Sequence, residues 1–311
     1  VYIMISVVVP VYGCPSALKE LVTRIENTLL KLNKRFEIIL VNDNCPLNSW
    51  AEIFEIAKSH HNVIGINLTR NFGQHYAITC GLEQSIGDWI VILDCDLQDR
   101  PEEIEHLFLS TEDDVDIVYA CRENRKDSLI KKLTSKLFYK FFSYMTDTEQ
   151  DSRVANFGIY SRKAIDSLLC FKESLRFFPV NIRWVGLKSK NVIVEHDSRS
   201  HGNSSYNLKS LMQLASNVII SFSDKPLRLM VKGGFALSFA AMLVAAYLGI
   251  KVAFLGATVE GWASIMVSLW FMFGMLSCFL GVVGIYVAKT FDESKRRPLY
   301  LIKEIINSKE R

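Results

Sequence analysis

The sequence predicts an α/β domain with a mostly parallel sheet flanked by helices, followed by a two-helix transmembrane hairpin. Three observations carry this reading. β-Branched runs alternate with helical patterns up to about Arg125, the mark of parallel strands joined by right-handed crossovers. One apolar run, Val91-Ile92-Leu93, delivers Asp94 and Asp96 at its carboxyl end, where open α/β sheets bind ligands. Gly233 to Gly256 carries Lys251 as its one charge and Gly261 to Ala288 carries none; each exceeds the roughly 20 apolar residues that cross a bilayer.

Taken in order, Ile3–Val11 is the first strand, and it runs into Pro10-Val11-Tyr12-Gly13-Cys14-Pro15. That turn lacks the Gly-x-Gly-x-x-Gly of a dinucleotide fold, which sets the obvious rival aside. A helix is expected over Pro15–Lys34, then a strand over Phe36–Val41, a helix over Ser49–His60 and a strand over Val63–Leu68. Gln74–Ser85 reads as helix, Trp89–Leu93 as a buried strand, Pro101–Leu109 as helix and Val115–Ala120 as strand. Pro101 at the helix start, with Glu102 and Glu103 behind it, suits the amino-terminal end of a helix dipole.

The connector between the two apolar segments, Ala257-Thr258-Val259-Glu260, is short enough to force a hairpin with both outer ends on one side. Lys225, Arg228 and Lys232 precede the pair, and Lys289, Lys295, Arg296 and Arg297 follow it, against Lys251 and Glu260 near the turn. The positive-inside rule therefore puts both ends, and the large amino-terminal domain, in the cytoplasm. A buried hairpin in a soluble protein is the competing reading, but covering two such helices needs more chain than is present. Trp262 and Tyr286 suit the two interfaces. The expected organisation is a cytoplasmic domain over 1–228, including an amphipathic juxtamembrane helix over about 206–228. Two membrane helices over 229–288 and a basic cytoplasmic tail over 289–311 complete it.

Composition agrees: 50% of residues are hydrophobic while net charge is only +3, and the basic residues beside the apolar block would meet anionic lipid headgroups. No nucleic-acid partner is expected. Seven cysteines without CxxC or Cys/His ligand spacing read as reduced cytosolic thiols rather than disulfides or a zinc site. Tyr2 to Val11 is too short an apolar run for a signal peptide.

Asp94-Cys95-Asp96-Leu97-Gln98-Asp99 is the most chemically informative stretch. Clustered carboxylates at a strand end repel one another, and a Mg²⁺ or Mn²⁺ ion bridging a diphosphate is the natural compensation. Helix capping is the bland alternative for Asp96 and Asp99. It accounts for Asp99 but leaves Asp94 unexplained.

These residues resemble a known family. Val8-Val9-Pro10-Val11-Tyr12, Val41-Asn42-Asp43, Leu68-Thr69-Arg70-Asn71-Phe72-Gly73 and Asp94-x-Asp96-Leu97-Gln98-Asp99-x-Pro101-Glu102 are similar to family 2 glycosyltransferases of the GT-A fold. The resemblance narrows to the polyprenyl-phosphate branch, which holds the dolichol-phosphate mannose synthases and the undecaprenyl-phosphate glucosyltransferases. It continues through Arg176-Phe177-Phe178, Trp184-Val185-Gly186, Arg199-x-x-Gly202, Ser221-Phe222-Ser223-x-x-Pro226-Leu227 and Arg297-Pro298-Leu299-Tyr300.

The resemblance implies that Pro10 and Tyr12 line the nucleotide pocket and that Asp43 bonds the base, although Asn42-Asp43-Asn44 is also ordinary turn chemistry. Arg70 and Asn71 would flank the nucleotide, with Gln98 nearby; Asp94 would help hold the nucleotide-sugar, and Asp96, with Asp94, would ligate Mg²⁺ or Mn²⁺. The implied activity is inverting transfer of a sugar, a hexose by family habit, from a nucleotide diphosphate, UDP as first choice, to a polyprenyl (undecaprenyl) phosphate. It would act at the cytoplasmic membrane face, in cell-surface glycan synthesis or modification. Transfer to a hydroxyl of a lipid-linked glycan, or non-catalytic nucleotide-sugar binding, are the rivals.

Departures from the family pattern are informative. Gly13-Cys14 stands where relatives often carry Asn-Glu, and Ala155-Asn156-Phe157 where the glucose-transferring relatives carry Gly-Asp-Phe. Asn156 cannot act as a general base. A phosphate monoester, with a second pKa near ~6, needs none at neutral pH. Asn156 could orient that phosphate or simply pack beside Phe157. Arg122 and Arg199 are the expected cationic partners of an anionic acceptor, with Arg125, Lys131, Lys132 and Arg153 behind them; Ser205 replaces a lysine of the family. The stripe from Lys131 to Met145 reads equally as core-facing or interfacial helix, and Tyr206 to Ile219 more as interfacial. His75 and His201 form no ligand pair. Gly274/Cys278 and Ser277/Gly281 are spaced to permit close helix contacts in a homo-oligomer.

Overall fold

The structure, a computed structural model, describes residues 3–111, 114–122, 144–145, 154–195, 220, 223–255 and 261–307. It divides into two compact units, 1–211 with 297–311, and 212–296.

The first unit is built on an eight-stranded sheet: β1 (Met4–Val11), β2 (Arg35–Asn42), β3 (Val63–Leu68), β4 (Trp89–Ile92), β5 (Ile117–Arg122), β6 (Val154–Ser161), β7 (Ser189–Val194) and β8 (Ile302–Ile306). Its order is β7-β5-β6-β4-β1-β2-β3-β8. β1 pairs in parallel with β2 and β4, as does β2 with β3 and β5 with β7. β6 runs antiparallel between β4 and β5, and β8 antiparallel beside β3.

Alternation along β1 shows why these residues make a central strand. Val7, Val9 and Val11 join one core, and Val8 joins the other. The first core takes in α1 (Leu18–Lys31), α2 (Ser49–Ser59) and α4 (Glu103–Leu109); the second takes in α3 (Gln74–Gln84), α5 (Arg162–Leu169) and α6 (Phe178–Trp184). A strand buried on both faces must be apolar on both. α3 rides so close to β1 that a Cβ at Gly81 would lie 2.3 Å from Val8 Cγ1, so only glycine fits there.

Up to β5 the sequence boundaries agree with these elements to within a few residues, whereas β6, β7, α5 and α6 have no counterpart in the sequence reading; three corrections follow. The expected helix from Pro15 opens as a 3-10 turn over Pro15–Ala17 before α1. Asp99 does not cap α4: the residue preceding that helix is Glu102, and Asp99 is buried at 1% exposure. The tail expected over 289–311 is not wholly a tail, because Ile302–Ile306 forms β8. Its lack of a helical or alternating signal in so short a segment hid it. Tyr300 donates its hydroxyl to the Glu83 carboxylate, and Asn307 Nδ2 bonds the backbone carbonyls of Ala57 and Val63. Around Tyr300, burial raises the phenol pKa and pushes the Cys80 thiol up to about 12.

The second unit contains α7 (Lys225–Leu255) and α8 (Trp262–Ser294). Both are long and apolar enough to cross a membrane, and none of the apolar stretch of either is buried. Such exposure fits a lipid environment and not a soluble core. The connector at 257–260 and the amphipathic stretch at 206–219 lie outside the described residues.

Candidate active site

Because β2 and β3 lie to one side of β1 and β4 to the other, the strand order reverses between β1 and β4. Carboxyl ends of strands at such a switch point form the crevice where open α/β sheets take ligands. Pro10 and Tyr12 from β1, Asp43 after β2, Arg70 and Asn71 after β3, and Asp94, Asp96 and Gln98 after β4 all emerge along this edge.

Pro10 is buried and Tyr12 is 51% exposed, so the turn after β1 leaves its ring open to a ligand. Asp43 is 3% exposed, and its two carboxylate oxygens accept from the backbone N–H of Phe72 at 2.7 Å and Gly73 at 2.8 Å. Burial raises its pKa and these two bonds oppose the rise. Asp43 therefore grips the loop that carries Arg70 and Asn71. Gly73 has φ +105 there, a backbone that glycine adopts without strain. Arg70 and Asn71 are exposed, and the Arg70 guanidinium lies 4.5 Å from the centre of the Phe72 ring. Behind this loop Asn42 Nδ2 donates to Asn67 Oδ1 at 2.9 Å, tying β2 to β3.

Asp94 Oδ1 accepts from Gln74 Nε2 at 2.7 Å. Gln74 opens α3 directly after the gripped loop, so the loop after β3 and the acidic loop are joined. Sequence reasoning missed Gln74, since nothing local marks a glutamine as the partner of a carboxylate 20 residues away. Asp96 Oδ1 accepts from the Gln98 N–H at 3.2 Å, which closes a turn around Leu97 at φ +59. A left-handed non-glycine residue costs energy and is held only where its surroundings dictate it.

No group of three or more His, Cys, Asp or Glu side chains is arranged to hold a metal among the described residues. Two neighbouring carboxylates are nevertheless the usual protein share of a Mg²⁺-type site, whose remaining positions go to water and substrate phosphates. The donor chemistry of Asp94 and Asp96 fits such an ion.

The remaining candidates divide. Antiparallel pairing ends with Ile92 opposite Gly158, and Asp94 beyond β4 and half-buried Asn156 near the start of β6 both lie toward this edge. Arg122 ends β5 opposite Val194, at the same edge. Arg199, Ser205, Arg125, Lys131, Lys132 and Arg153 lie outside the described residues, as does the 131–145 stripe except Tyr144 and Met145. His75 packs edge-on to Phe177 at 4.7 Å between ring centres. Its Nδ1 is buried without a hydrogen-bond partner among the described residues, and burial lowers its pKa to about 4.

The expectation of reduced thiols fails at one pair. Cys14 and Cys95 form a disulfide, with Cα atoms 6.3 Å apart across 81 residues of sequence. Linear spacing gives no hint of this, since the two meet only because β1 and β4 are neighbours ending at one edge. Cys45, Cys80, Cys121, Cys170 and Cys278 are not in disulfides.

A parallel-centred sheet with paired carboxylates at its switch point defines an open α/β protein with a candidate ligand crevice, and comparison gives the family. Residues 6–169 match the model of Glycosyl transferase family 2, and the chain belongs to that family. It is 32% identical over 304 residues to a glycosyltransferase of Synechocystis sp., covering 97% of this chain and 96% of that one. It is 33% identical over 308 residues to the undecaprenyl-phosphate 4-deoxy-4-formamido-L-arabinose transferase of Pseudomonas savastanoi pv. phaseolicola, covering 98% and 91%. Among solved structures, glucosyl-3-phosphoglycerate synthase of Mycobacterium tuberculosis superposes with a TM-score of 0.50 at 18% identity, covering 71% and 79%. That likeness establishes the GT-A-like fold.

Proposed function

We propose that this glycosyltransferase moves a sugar from a nucleotide diphosphate to a polyprenyl phosphate at the cytoplasmic face of a membrane. The observation that carries the reading is Asp94 and Asp96 at the switch point of a chain that is similar, through both apolar helices, to undecaprenyl-phosphate transferases. Tyr12, with the Arg70–Asn71 loop gripped by Asp43, would hold the nucleotide, UDP being the first choice. Asp94, held by Gln74, and Asp96 would hold Mg²⁺ or Mn²⁺ against the diphosphate. That ion would supply charge stabilisation to the departing nucleotide diphosphate.

A phosphate oxygen of the lipid attacks the anomeric carbon from the face opposite the leaving group, the glycosidic C–O bond to the diphosphate breaks, and configuration inverts. The lipid phosphate is already ionised near neutral pH, so no base is needed and the protein's contribution is mainly positioning. Arg122 and Arg199 would receive the acceptor's charge, and Asn156 would orient it. Connectivity supports the topology, since the chain leaves the α/β unit before α7 and rejoins its sheet at β8 after α8. Both outer helix ends would then lie on one side, and the basic residues flanking them favour the cytoplasmic one.

Full-length protein in detergent, given radiolabelled nucleotide-sugars with undecaprenyl phosphate and Mn²⁺, should place label in the organic extract. Label appearing only with a hydroxyl-bearing lipid-linked glycan would move the acceptor assignment, and nucleotide binding without transfer to either would mark a non-catalytic binder.

A further inference from the structure

Three cysteines converge on the candidate nucleotide crevice. Cys14 follows Tyr12 and Gly13 at the end of β1, and Cys95 stands between Asp94 and Asp96 at the end of β4. Their bond crosses the switch point itself. The third, Cys45, is buried and accepts from the N–H of Gly13 at 3.2 Å and of Leu47 at 3.4 Å, which keeps its sulfur on the loop after β2.

We propose that Cys14 and Cys95 form a reversible disulfide that locks the nucleotide-side loop after β1 to the acidic loop after β4, and that its reduction loosens the site. Cytoplasmic proteins keep thiols reduced, and the disulfides they do form are chiefly transient, catalytic or redox-sensing. A bond spanning a ligand crevice has an immediate consequence for that crevice. Among the described residues no other covalent link joins the β1 turn to the acidic loop, and a Cβ built at Gly13, at φ +86, would meet nothing within 4 Å, so with the link cut the turn is held to its surroundings by non-covalent contacts such as the Gly13 N–H to Cys45 Sγ bond.

The chemistry balances with a low-molecular-weight disulfide as oxidant. Cys14, the more accessible of the pair, attacks one sulfur of the small disulfide as thiolate, and the other sulfur leaves as a thiolate that takes up a proton. Cys95, 7% exposed, then gives up its proton and displaces the second small thiol from Cys14. Two cysteine thiols are oxidised and one small disulfide is reduced to two thiols.

The functional consequence rests on the nucleotide-diphosphate reading above; the bond does not. Full-length protein in detergent would be equilibrated across reduced and oxidised glutathione, trapped by alkylation and digested. We expect a Cys14–Cys95 linked peptide that appears and disappears reversibly, with Cys45 alkylated throughout. Both thiols alkylating at every ratio would overturn the proposal. Hydrogen exchange over 10–16 and 93–99 should slow on oxidation in the wild type and not in C14S or C95S; equal exchange in both states would overturn the lock. UDP with Mn²⁺ should bind about three- to tenfold more weakly to the reduced form, as loss of preorganisation predicts, and redox-independently to C14S. Equal affinity in both wild-type states would overturn redox control, whereas an intact exchange difference with no UDP binding in either state would leave the lock standing and refute the nucleotide reading.

Discussion

At the ends of β1 to β4 the candidate residues hold one another: Asp43 grips Phe72 and Gly73, Gln74 holds Asp94, Gln98 closes on Asp96, and Cys14 is bonded to Cys95. Toward the same edge, Arg122 ends β5 and Asn156 lies near the start of β6, their places given by strand pairing. The half proposed to hold the nucleotide-sugar is thus tied together at the ends of neighbouring parallel strands. The residues proposed to meet the acceptor come from strands separated by a long stretch of sequence, and from positions nearer the apolar helices in sequence. Substitutions in the first half should cost much, by loosening or discharging a prepared site, and those in the second should cost little singly.

The sharpest test of this contrast is Asp96→Asn. Removing a carboxylate proposed to hold the metal should lower metal-dependent turnover on the order of 10³-fold while thermal unfolding stays unchanged, and Asp94→Asn should be severely impaired too. A Mn²⁺ titration of turnover measures it, and undiminished activity would break the assignment. Asp43→Ala comes next. It frees two backbone N–H groups from charge-assisted bonds and should weaken nucleotide affinity about 10- to 100-fold by calorimetry. Asp43→Asn, which keeps one acceptor oxygen, should recover part of the loss; no loss in either variant would mean that the Arg70–Asn71 loop holds its shape unaided.

The same asymmetry governs what could be read from the sequence. Strands β1 to β4 and their terminal carboxylates were legible because a doubly buried strand must be apolar and its end must turn polar within one or two residues. Asp43 is singled out for a base contact, whereas in the structure its two oxygens take the Phe72 and Gly73 amides, partners that leave no mark on side-chain identity. Gln74 and the Cys14–Cys95 bond were invisible for a related reason: both depend on which strands are neighbours, and the order that sets β4 beside β1 is not written in any local pattern. β8 escaped because its five residues follow a membrane helix and gain meaning only beside β3.

His75 probes the packing beneath the gripped loop. Its folded pKa of about 4 lies below the ordinary value of 6.5 because burial disfavours the charged ring. Between those values the unfolded chain binds more protons, so stability is fully present above pH 6.5 and is lost as pH falls toward about 4. The loss should amount to no more than about 3 kcal/mol. His75→Phe, which keeps an aromatic ring against Phe177, should flatten the slope between pH 6.5 and 5 in denaturant unfolding; an unchanged slope would assign the acid sensitivity elsewhere.

Asn156 carries the smallest expected effect and the most discriminating one. It lies near the start of β6, toward the same sheet edge as Asp94, and its amide is proposed to meet the acceptor. If that acceptor is a lipid phosphate, no proton has to be removed, and Asn156→Ala should cost about three- to tenfold in turnover through one lost hydrogen bond. Asn156→Asp should then be neutral or harmful with undecaprenyl phosphate, because a new carboxylate beside Asp94 repels a dianion. A hydroxyl acceptor reverses the sign: a restored carboxylate would supply general-base help of about 10²- to 10⁴-fold. Turnover of Asn156→Asp measured against both acceptors therefore decides between them, and a large gain with the hydroxyl-bearing lipid-linked glycan would refute the phosphate acceptor.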